Sequence, residues 1–257
     1  MKSEEDLYHF LCQAPSPTSS DLEGVVVAAD ITQEWLLPWW WENYSQFNDF
    51  PVTFVDLGLS PSMKKWAQEK GNYVKLPISG LFVTEKENLP IEFVSSLEGE
   101  GGQKFWGSRS AWFRKPLACL QSPYELSLWI DLDCEIKGSL KDIFSYCKHP
   151  SGMSIARETL KNGQLSLNTG VIAFQRGTPL LREWATWCLT EHVNYQGDQD
   201  VIDAIHAKSE VLIGELPSIY NCLCYYGIDP NALILHWHGT YGKYKISHQI
   251  QKKSLFI

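Results

Sequence analysis

The stretch Leu126-Ser-Leu-Trp-Ile-Asp-Leu-Asp-Cys-Glu-Ile136 combines a short apolar run with two carboxylates one residue apart. Such a run predicts a strand that is buried on both faces of a sheet, and acids just past such strands lie where open α/β sheets bind ligands. On an extended chain, Asp131 and Asp133 point the same way and can share one hard cation. Short acidic pairs also occur in turns without any metal, so the spacing alone leaves both interpretations open.

The composition is that of one soluble α/β domain. The chain has 257 residues, of which 44% are hydrophobic and 20% are charged, as in ordinary globular proteins. Its formal charge of −8 argues against a nucleic-acid partner and against binding to an anionic membrane. We expect no transmembrane segment and a cytoplasmic location, because the start carries no apolar signal region and no apolar run reaches membrane-spanning length. Nothing in the sequence indicates an oligomeric state.

The first third of the chain alternates strand and helix patterns. By composition, residues 1–23 form an N-terminal extension, and the domain spans residues 24–257. Strand patterns cover residues 25–30, 51–57 and 73–77, with helical patterns over 34–44 and 61–70 between them. Three strands separated by helices predict a βαβαβ unit, and therefore a mixed, mostly parallel central sheet.

The remainder continues as an α/β pattern around the strand at residues 126–130. We predict helices over 110–120, 140–147, 179–191 and 198–206, and strands over 153–157, 165–174, 211–216 and 232–236. Asn168-Thr-Gly170 interrupts one strand, and glycine there indicates a bulge or a close approach of a ligand to the backbone. Residues 78–107 are a loop-rich crossing and a candidate lid. Arg114 and Lys115 are typical of a solvated helix face.

Two nucleotide-binding signatures are absent from the sequence. No Gly-x-Gly-x-x-Gly follows the first strand, and no Gly-x-x-x-x-Gly-Lys-Ser/Thr occurs anywhere. Both motifs place backbone amides against phosphates, so their absence argues against dinucleotide redox enzymes and P-loop enzymes. An anionic ligand would instead need a metal or a few local cations.

Polar side chains recur at the ends of the apolar strands. Two aspartates and one histidine suit a hard divalent cation, and Mn²⁺ tolerates imidazole better than Mg²⁺ does. A histidine that ends an apolar strand is as typical of a structural hydrogen bond as of a metal site. The side chains concerned are Asp30, Asp131, Asp133, Asn168, Asp198, Gln199, Asp200, His236 and His238.

Four short motifs follow one another along the chain: Trp129-Ile-Asp-Leu-Asp-Cys-Glu-Ile136, Leu167-Asn-Thr-Gly-Val-Ile172, Gly197-Asp-Gln-Asp-Val-Ile202 and Leu235-His-Trp-His-Gly-Thr-Tyr-Gly-Lys243. In this order they resemble the retaining nucleotide-sugar glycosyltransferases of family 8, which include glycogenin and bacterial lipopolysaccharide galactosyltransferases. The resemblance covers residues 24–245. It implies a GT-A fold, one α/β domain with a metal-bound UDP-sugar at the carboxyl ends of its strands.

The resemblance also implies roles for individual residues. Asp131, Asp133 and His236 match the metal ligands, with Mn²⁺ or Mg²⁺ as the cation. Asp198 and Gln199 match the pair at the reacting sugar. The donor contacts expected from the other matching positions are Asp30 at uracil or ribose, Arg114 at the donor, Asn168 at the sugar and Lys243 at the diphosphate.

Two departures from the family pattern leave alternatives open. Lys243 lies one residue later than in the usual terminal motif, and His238 is an alternative to His236 as metal ligand. Ile31-Thr32 follows Asp30 in place of an Asn-Tyr-like pair, which leaves the uracil preference open.

The expected function is transfer of a hexose from a nucleotide-diphosphate sugar, with UDP-hexose as the expected donor, to a glycan, lipid or protein acceptor. The alternatives are a sugar nucleotidyltransferase, a catalytically decayed nucleotide-sugar-binding protein and a metal-dependent hydrolase that uses the same acids. The nucleotidyltransferase lacks support because no Gly-rich, lysine-bearing signature follows the first strand.

Overall fold

A computed structural model describes residues 22–76, 86–95, 104–160, 163–208 and 212–254. Residues 1–21 of the predicted N-terminal extension and most of the predicted lid at 78–107 lie outside these residues. The first strand begins at Glu23, one residue before the predicted start of the domain. Among the described residues, no helix combines the length and apolarity needed to cross a bilayer.

The strands form one large sheet and one small sheet. The large sheet has the order β3-β2-β1-β4-β7-β6-β8, and the small sheet has the order β5-β10-β9. The strands are β1 (Glu23–Ala29), β2 (Val52–Asp56), β3 (Asn72–Lys75), β4 (Leu126–Ile130), β5 (Cys134–Ile136), β6 (Met153–Thr159), β7 (Leu165–Gln175), β8 (Gly214–Glu215), β9 (Cys222–Leu223) and β10 (Ile234–His236).

The large sheet is mostly parallel, as the alternating pattern predicts. β1 pairs in parallel with β2 and β4, β2 pairs in parallel with β3, and β6 pairs in parallel with β8. Among the described strands of this sheet, β7 alone runs antiparallel to its neighbours, β4 and β6. The predicted strand at 211–216 was too long, because only Gly214 and Glu215 pair within the described residues.

The longer α-helices of the described residues are α1 (Leu37–Tyr44), α2 (Pro61–Lys70), α3 (Lys104–Cys119), α4 (Pro179–Thr190), α5 (Asp198–Lys208) and α6 (Gly239–Ser254). Short 3₁₀ segments span Glu34–Leu36, Lys86–Asn88, Lys141–Lys148, His192–Asn194 and Ser218–Tyr220. Ser60 caps the start of α2, with the Met63 amide donating to Ser60 Oγ at 3.3 Å. Helix α3 is longer than predicted, and the predicted helix at 140–147 is a 3₁₀ segment.

Apolar layers cover both faces of the large sheet. All five residues of β4 are buried, as its continuous apolar run predicts. Leu128 packs in one cluster with Trp40 of α1, whereas Trp129 packs in the other with Phe113 of α3 and Trp184 of α4. The Trp39-Trp40-Trp41 run therefore contributes to the core, since Trp39 and Trp40 are buried.

A bulge in β7 shapes the edge of the sheet beside β4. The register with β6 shifts between Ile155 and Ala156, whose partners on β7 are Ile172 and Asn168. The intervening residues, Thr169 to Val171, have no partner on β6, although Val171 pairs with Ile130 of β4. The Asp131 amide donates to the Gly170 carbonyl at 2.8 Å. The bulge predicted from Asn168-Thr-Gly170 is thus present, at the carboxyl end of β4.

Candidate functional site

A cleft of two joined cavities lies beyond the carboxyl ends of β1 and β4. The larger cavity, about 740 Å³, is bordered by the β7 bulge, the start of α5 and the segment after β10. A smaller cavity of about 110 Å³ extends from it toward the end of β1. The residues that line both cavities are Gln33, Ser108, Trp112, Lys115, Asp131, Asp133 and Lys243.

Asp133, His236 and Lys243 meet where the small sheet joins this cleft. Antiparallel pairing of β5 with β10 sets His236 opposite Cys134, next to Asp133. His236 Nε2 lies 3.4 Å from Asp133 Oδ1, and Lys243 Nζ lies 2.6 Å from Asp133 Oδ2. Burial alone would raise the pKa of Asp133, but Lys243 and His236 reverse this effect and hold it below its usual range. The carboxylate is therefore ionised at neutral pH.

Asp131 faces a different set of partners. Its carboxylate accepts from Trp129 Nε1 at 2.6 Å and lies 3.1 Å from Lys115 Nζ. The predicted extended Asp131–Asp133 segment is a tight turn instead, with the Cys134 amide donating to the Asp131 carbonyl at 3.1 Å. The group of metal-binding atoms found among the described residues comprises Asp133, Cys134 and His236, without Asp131. The role of Asp131 as a metal ligand stays a prediction.

Lys115 links Asp131 to Asp198 in the wall of the cleft. Its ammonium lies 3.4 Å from Asp198 Oδ2 and donates to the Thr169 carbonyl at 3.0 Å. Burial would lower its pKa, but the two carboxylates raise it above the ordinary lysine value. The expectation of a solvated helix face at Lys115 was wrong, because its side chain is buried between β4, β7 and α5.

Asp198 is buried at the start of α5. Its Oδ2 accepts from Thr169 Oγ1 at 2.8 Å, and its backbone carbonyl accepts from Trp184 Nε1 at 2.9 Å. Burial raises its pKa above the usual value, while Lys115 and Thr169 oppose that rise. One carboxylate oxygen is thus committed to the protein, although Asp198 also lines the larger cavity.

Hydrogen bonds define the orientation of the His236 ring. Asn221 Nδ2 donates to Asn168 Oδ1 at 2.8 Å, so Asn221 Oδ1 is left as an acceptor. His236 Nδ1 lies 2.9 Å from that oxygen and must donate to it. Nε2 is then the ring nitrogen that faces the Asp133 carboxylate, at 3.4 Å, and it is the one that a shared cation would take.

The residues therefore fit a divalent cation. Asp133 and His236 supply oxygen and nitrogen donors, which Mn²⁺ accepts together. Cys134 is a weaker candidate ligand, because burial holds its pKa well above the usual thiol value and its Sγ faces the Gly170 carbonyl. His238 lines the larger cavity, but its buried Nδ1 has no hydrogen-bond partner in the described part of the chain.

Gly170 permits this arrangement because it has no side chain. A Cβ at this position would overlap the His236 imidazole and press on Asn168 Oδ1. His236 therefore makes a close approach at this glycine, and the predicted approach of a ligand stays a prediction.

The amides of Asn168 and Gln199 meet at Glu158, at the end of β6. Glu158 Oε1 accepts from Asn168 Nδ2 at 3.1 Å and from Gln199 Nε2 at 2.6 Å. Gln199 Nε2 also donates to Ser166 Oγ at 2.9 Å. The predicted sugar-contacting residues thus lie together along one wall of the larger cavity.

Asp30 lines the smaller cavity and is held by Arg114. Arg114 NH2 lies 3.3 Å from Asp30 Oδ2, and its NH1 donates to the Leu57 carbonyl at 2.7 Å. The Thr32 hydroxyl and amide donate to Asp30 Oδ1 at 2.6 and 2.9 Å. Arg114 therefore reaches the first strand end only through Asp30, and only Asp30 of the pair lines the cavity.

The structure brings the nine predicted site residues around this one cleft and adds three that the sequence analysis did not assign. Glu158 follows the rule used for the other acids, since it lies near the carboxyl end of a strand. Lys115 shares a helix face with Ser108, Ala111 and Trp112, and the helical spacing was the signal available. Asn221 lies in an irregular segment, and no local pattern indicates its role.

The sequence matches no protein-family model and no curated protein. Solved structures do match. The glycosyltransferase GlyE of Streptococcus pneumoniae TIGR4 has a TM-score of 0.58 at 16% identity, over 86% of this chain and 55% of its own. Mouse xyloside xylosyltransferase 1, in its apo form, has a TM-score of 0.53 at 16% identity, with coverages of 86% and 97%.

The galactosyltransferase LgtC, in complex with donor and acceptor sugar analogues, matches with a TM-score of 0.51 at 11% identity, over 89% of this chain and 94% of its own. The chain thus spans about half of GlyE and nearly all of the other two. At such identities the likeness shows the fold alone. The protein is a mixed α/β domain with the GT-A fold, built on a seven-stranded, mostly parallel sheet.

Proposed function

We propose that this chain is a metal-dependent glycosyltransferase of the retaining family 8 type. It transfers a hexose from a UDP-sugar to a glycan, lipid or protein acceptor. The observation that carries the proposal is the grouping of Asp133, His236 and Lys243, because a diphosphate and its cation need two metal donors beside a positive charge. The GT-A fold supports it, since this group borders a cleft at the strand ends.

Asp133 and His236 would hold Mn²⁺ or Mg²⁺. Asp131 is the proposed third ligand, for which its carboxylate must exchange the contacts with Lys115 and Trp129 for the cation. When bound, the cation supplies electrostatic stabilisation of the diphosphate leaving group. Asn221 fixes the His236 tautomer that leaves Nε2 free to coordinate.

Lys243 acts on the leaving group directly. Negative charge builds on the β-phosphate oxygen as the bond to the anomeric carbon breaks, and a positioned ammonium stabilises that charge most in a partly dry site. The Lys243 side chain is one-third exposed, so its ammonium can contact both Asp133 and an incoming phosphate. Asp30, held by Arg114 in the smaller cavity, accepts hydrogen bonds from the ribose or the base.

The reacting sugar would bind in the larger cavity, where Asn168, Asp198 and Gln199 line the wall. Retention requires either a nucleophile on the face opposite the leaving group or attack from the same face. Because Lys115 and Thr169 already engage Asp198 Oδ2, we assign Asp198 an orienting role. NMR of the product's anomeric configuration tests retention, and an inverted product would contradict the family 8 assignment.

Calorimetric titration of UDP with and without Mn²⁺ tests the proposal. We expect UDP binding that EDTA abolishes. Asp133→Asn should weaken the UDP affinity at least about tenfold, which is the loss typical of substitutions at a metal site. Asp56→Asn is the matched control, since Asp56 is a buried aspartate at the end of β2 whose partners lie outside both cavities. Metal-independent UDP binding, or none at all, would contradict the proposal.

A further inference from the structure

Resting on the proposed function, we infer that Glu158 is a positioning residue that holds the Gln199 amide with its carbonyl oxygen toward the reacting sugar. Glu158 Oε1 lies 2.6 Å from Gln199 Nε2. Both side chains are half-buried, and both line the larger cavity. Glu158 carries none of the roles that the sequence motifs indicate.

The hydrogen-bond donors and acceptors around Gln199 determine which end of its amide faces Glu158. A carboxylate only accepts hydrogen bonds, so the group facing it must be the amide NH₂. The second acceptor, Ser166 Oγ, lies 2.9 Å from the same nitrogen. The Ser166 hydroxyl donates its hydrogen bond to Asp203 Oδ2 at 2.5 Å, so it can only accept a hydrogen bond from Gln199.

Both hydrogens of the Gln199 amide are therefore used on the side of Glu158 and Ser166. The carbonyl oxygen lies on the opposite side of the amide, and no described residue donates a hydrogen bond to it. A flipped amide would place that oxygen against Glu158 Oε1 and against a hydroxyl whose proton is committed. These two contacts thus select one of the two orientations of an amide whose oxygen and nitrogen ends have nearly the same shape.

The same carboxylate oxygen orients a second amide. Glu158 Oε1 also accepts from Asn168 Nδ2 at 3.1 Å, while Asn168 Oδ1 accepts from the Gly170 amide at 3.0 Å. Asn168 Oδ1 also accepts a hydrogen bond from Asn221 Nδ2, and Asn221 Oδ1 accepts one from His236 Nδ1. Glu158 therefore anchors one end of a hydrogen-bonded chain that reaches the proposed metal site.

The orientation matters because the amide is a dipole. Positive charge develops at the anomeric carbon and ring oxygen as the leaving group departs. A carbonyl oxygen pointed at that charge stabilises it, whereas an NH₂ group would oppose it. Glu158 thus determines the sign of the field that Gln199 applies to the sugar.

The test compares Glu158→Leu, which removes the acceptor, with Glu158→Gln, whose carbonyl oxygen can still accept from both amides. The probe reaction is release of UDP from UDP-glucose and UDP-galactose with Mn²⁺ and water as acceptor. We expect Glu158→Leu to lower kcat about 10²-fold with KM unchanged, because misplacing a group at the reaction centre commonly lowers the rate by that factor. Glu158→Gln should stay within about tenfold of wild type, since neutral bonds are about half as strong.

Glu125→Leu and Glu125→Gln are matched controls. Glu125 accepts from the Gln175 amide at 3.2 Å at the far end of β4, away from the cleft. We expect both variants to keep the wild-type kcat. An unchanged kcat in folded Glu158→Leu, or a loss confined to KM, would overturn the inference.

Thermal unfolding with UDP and Mn²⁺ shows whether Glu158→Leu is folded. If it is not, Ser166→Ala removes the second acceptor of the Gln199 amide, and a lowered kcat at unchanged KM supports the inference, whereas an unchanged kcat overturns it. Wild-type protein that releases no UDP from either donor would overturn the proposed function together with the inference. Wild-type release with an unaffected Glu158→Leu would overturn the inference alone.

Discussion

Lys115 and Asp198 form a buried ion pair, 3.4 Å from Nζ to Oδ2, with 7% and 6% of the two side chains exposed. Removing the lysine would leave the carboxylate buried without its counter-charge. We predict that Lys115→Met lowers the free energy of unfolding by about 3–5 kcal/mol, the cost of breaking a buried pair. Urea unfolding at neutral pH measures it.

Lys64→Met is the control for this prediction. Lys64 pairs with Asp56 at 3.1 Å, but its side chain is 37% exposed, and such pairs contribute at most about 1 kcal/mol. Equal losses in the two variants would contradict a special role for the buried pair.

His236 and His238 are expected to respond differently to substitution. His236→Ala removes the nitrogen that lies 3.4 Å from Asp133, so we predict loss of the Mn²⁺-dependent rise in unfolding temperature that UDP produces. His238→Ala should retain that rise. Scanning calorimetry with UDP, with and without Mn²⁺, compares them. If only His238→Ala loses the effect, the metal ligand is His238 instead.

Gly170→Ala should affect both stability and metal binding. Its Cβ would overlap the His236 ring, and overpacking of this kind costs about 1–3 kcal/mol. We predict weaker Mn²⁺ binding together with a lower free energy of unfolding. Gly163→Ala is the comparison, because Gly163 has a φ of +82° and open space around it. It should lose about 1–2 kcal/mol and keep the same Mn²⁺ affinity.

Asp56 should make the free energy of unfolding depend on pH. Its carboxylate accepts from the Gly58 and Leu59 amides and from the Tyr73 hydroxyl. Burial would raise its pKa, but these bonds and Lys64 hold the pKa below the ordinary value of 3.8. A carboxylate with a depressed folded-state pKa stabilises the fold above its unfolded-state value and loses that contribution as pH falls through the folded-state value.

The prediction for Asp56 is therefore a pH-dependent difference between wild type and Asp56→Asn. The difference in unfolding free energy should be constant from about pH 7 to 5 and should shrink below about pH 4. Denaturant unfolding at several pH values measures it. A difference that grows on acidification would contradict the assigned sign.

The large sheet was predictable because its signals are local. The apolar runs that became β1, β2 and β4 lie between helical patterns, and this alternation is sufficient to predict a mostly parallel sheet. The cap at Ser60 and the bulge near Gly170 depend on a few neighbouring residues. Strand lengths at the far edge were less predictable, because β8 pairs over only two residues.

The candidate site was predictable only in its residue types. Lys243 reaches Asp133 from 110 positions away, and Asn221 reaches Asn168 from 53 positions away. No spacing rule extends over such separations. Lys115 was missed for the same reason, because its burial depends on Asp131, Thr169 and Asp198 arriving from three different elements.

The candidate site has two parts, one on each side of the turn between Asp131 and Asp133, and these parts differ in local stability. Asp131, Lys115 and Asp198 rest on the large sheet and its helices, whereas Asp133 and His236 depend on a small sheet whose strands have two or three residues. Short strands open locally at low cost, while a buried central strand exchanges its amide protons only on global unfolding. Warming should therefore open the proposed cation site before it unfolds the large sheet, and the amides of β5 and β10 should exchange with deuterium well ahead of those of β4.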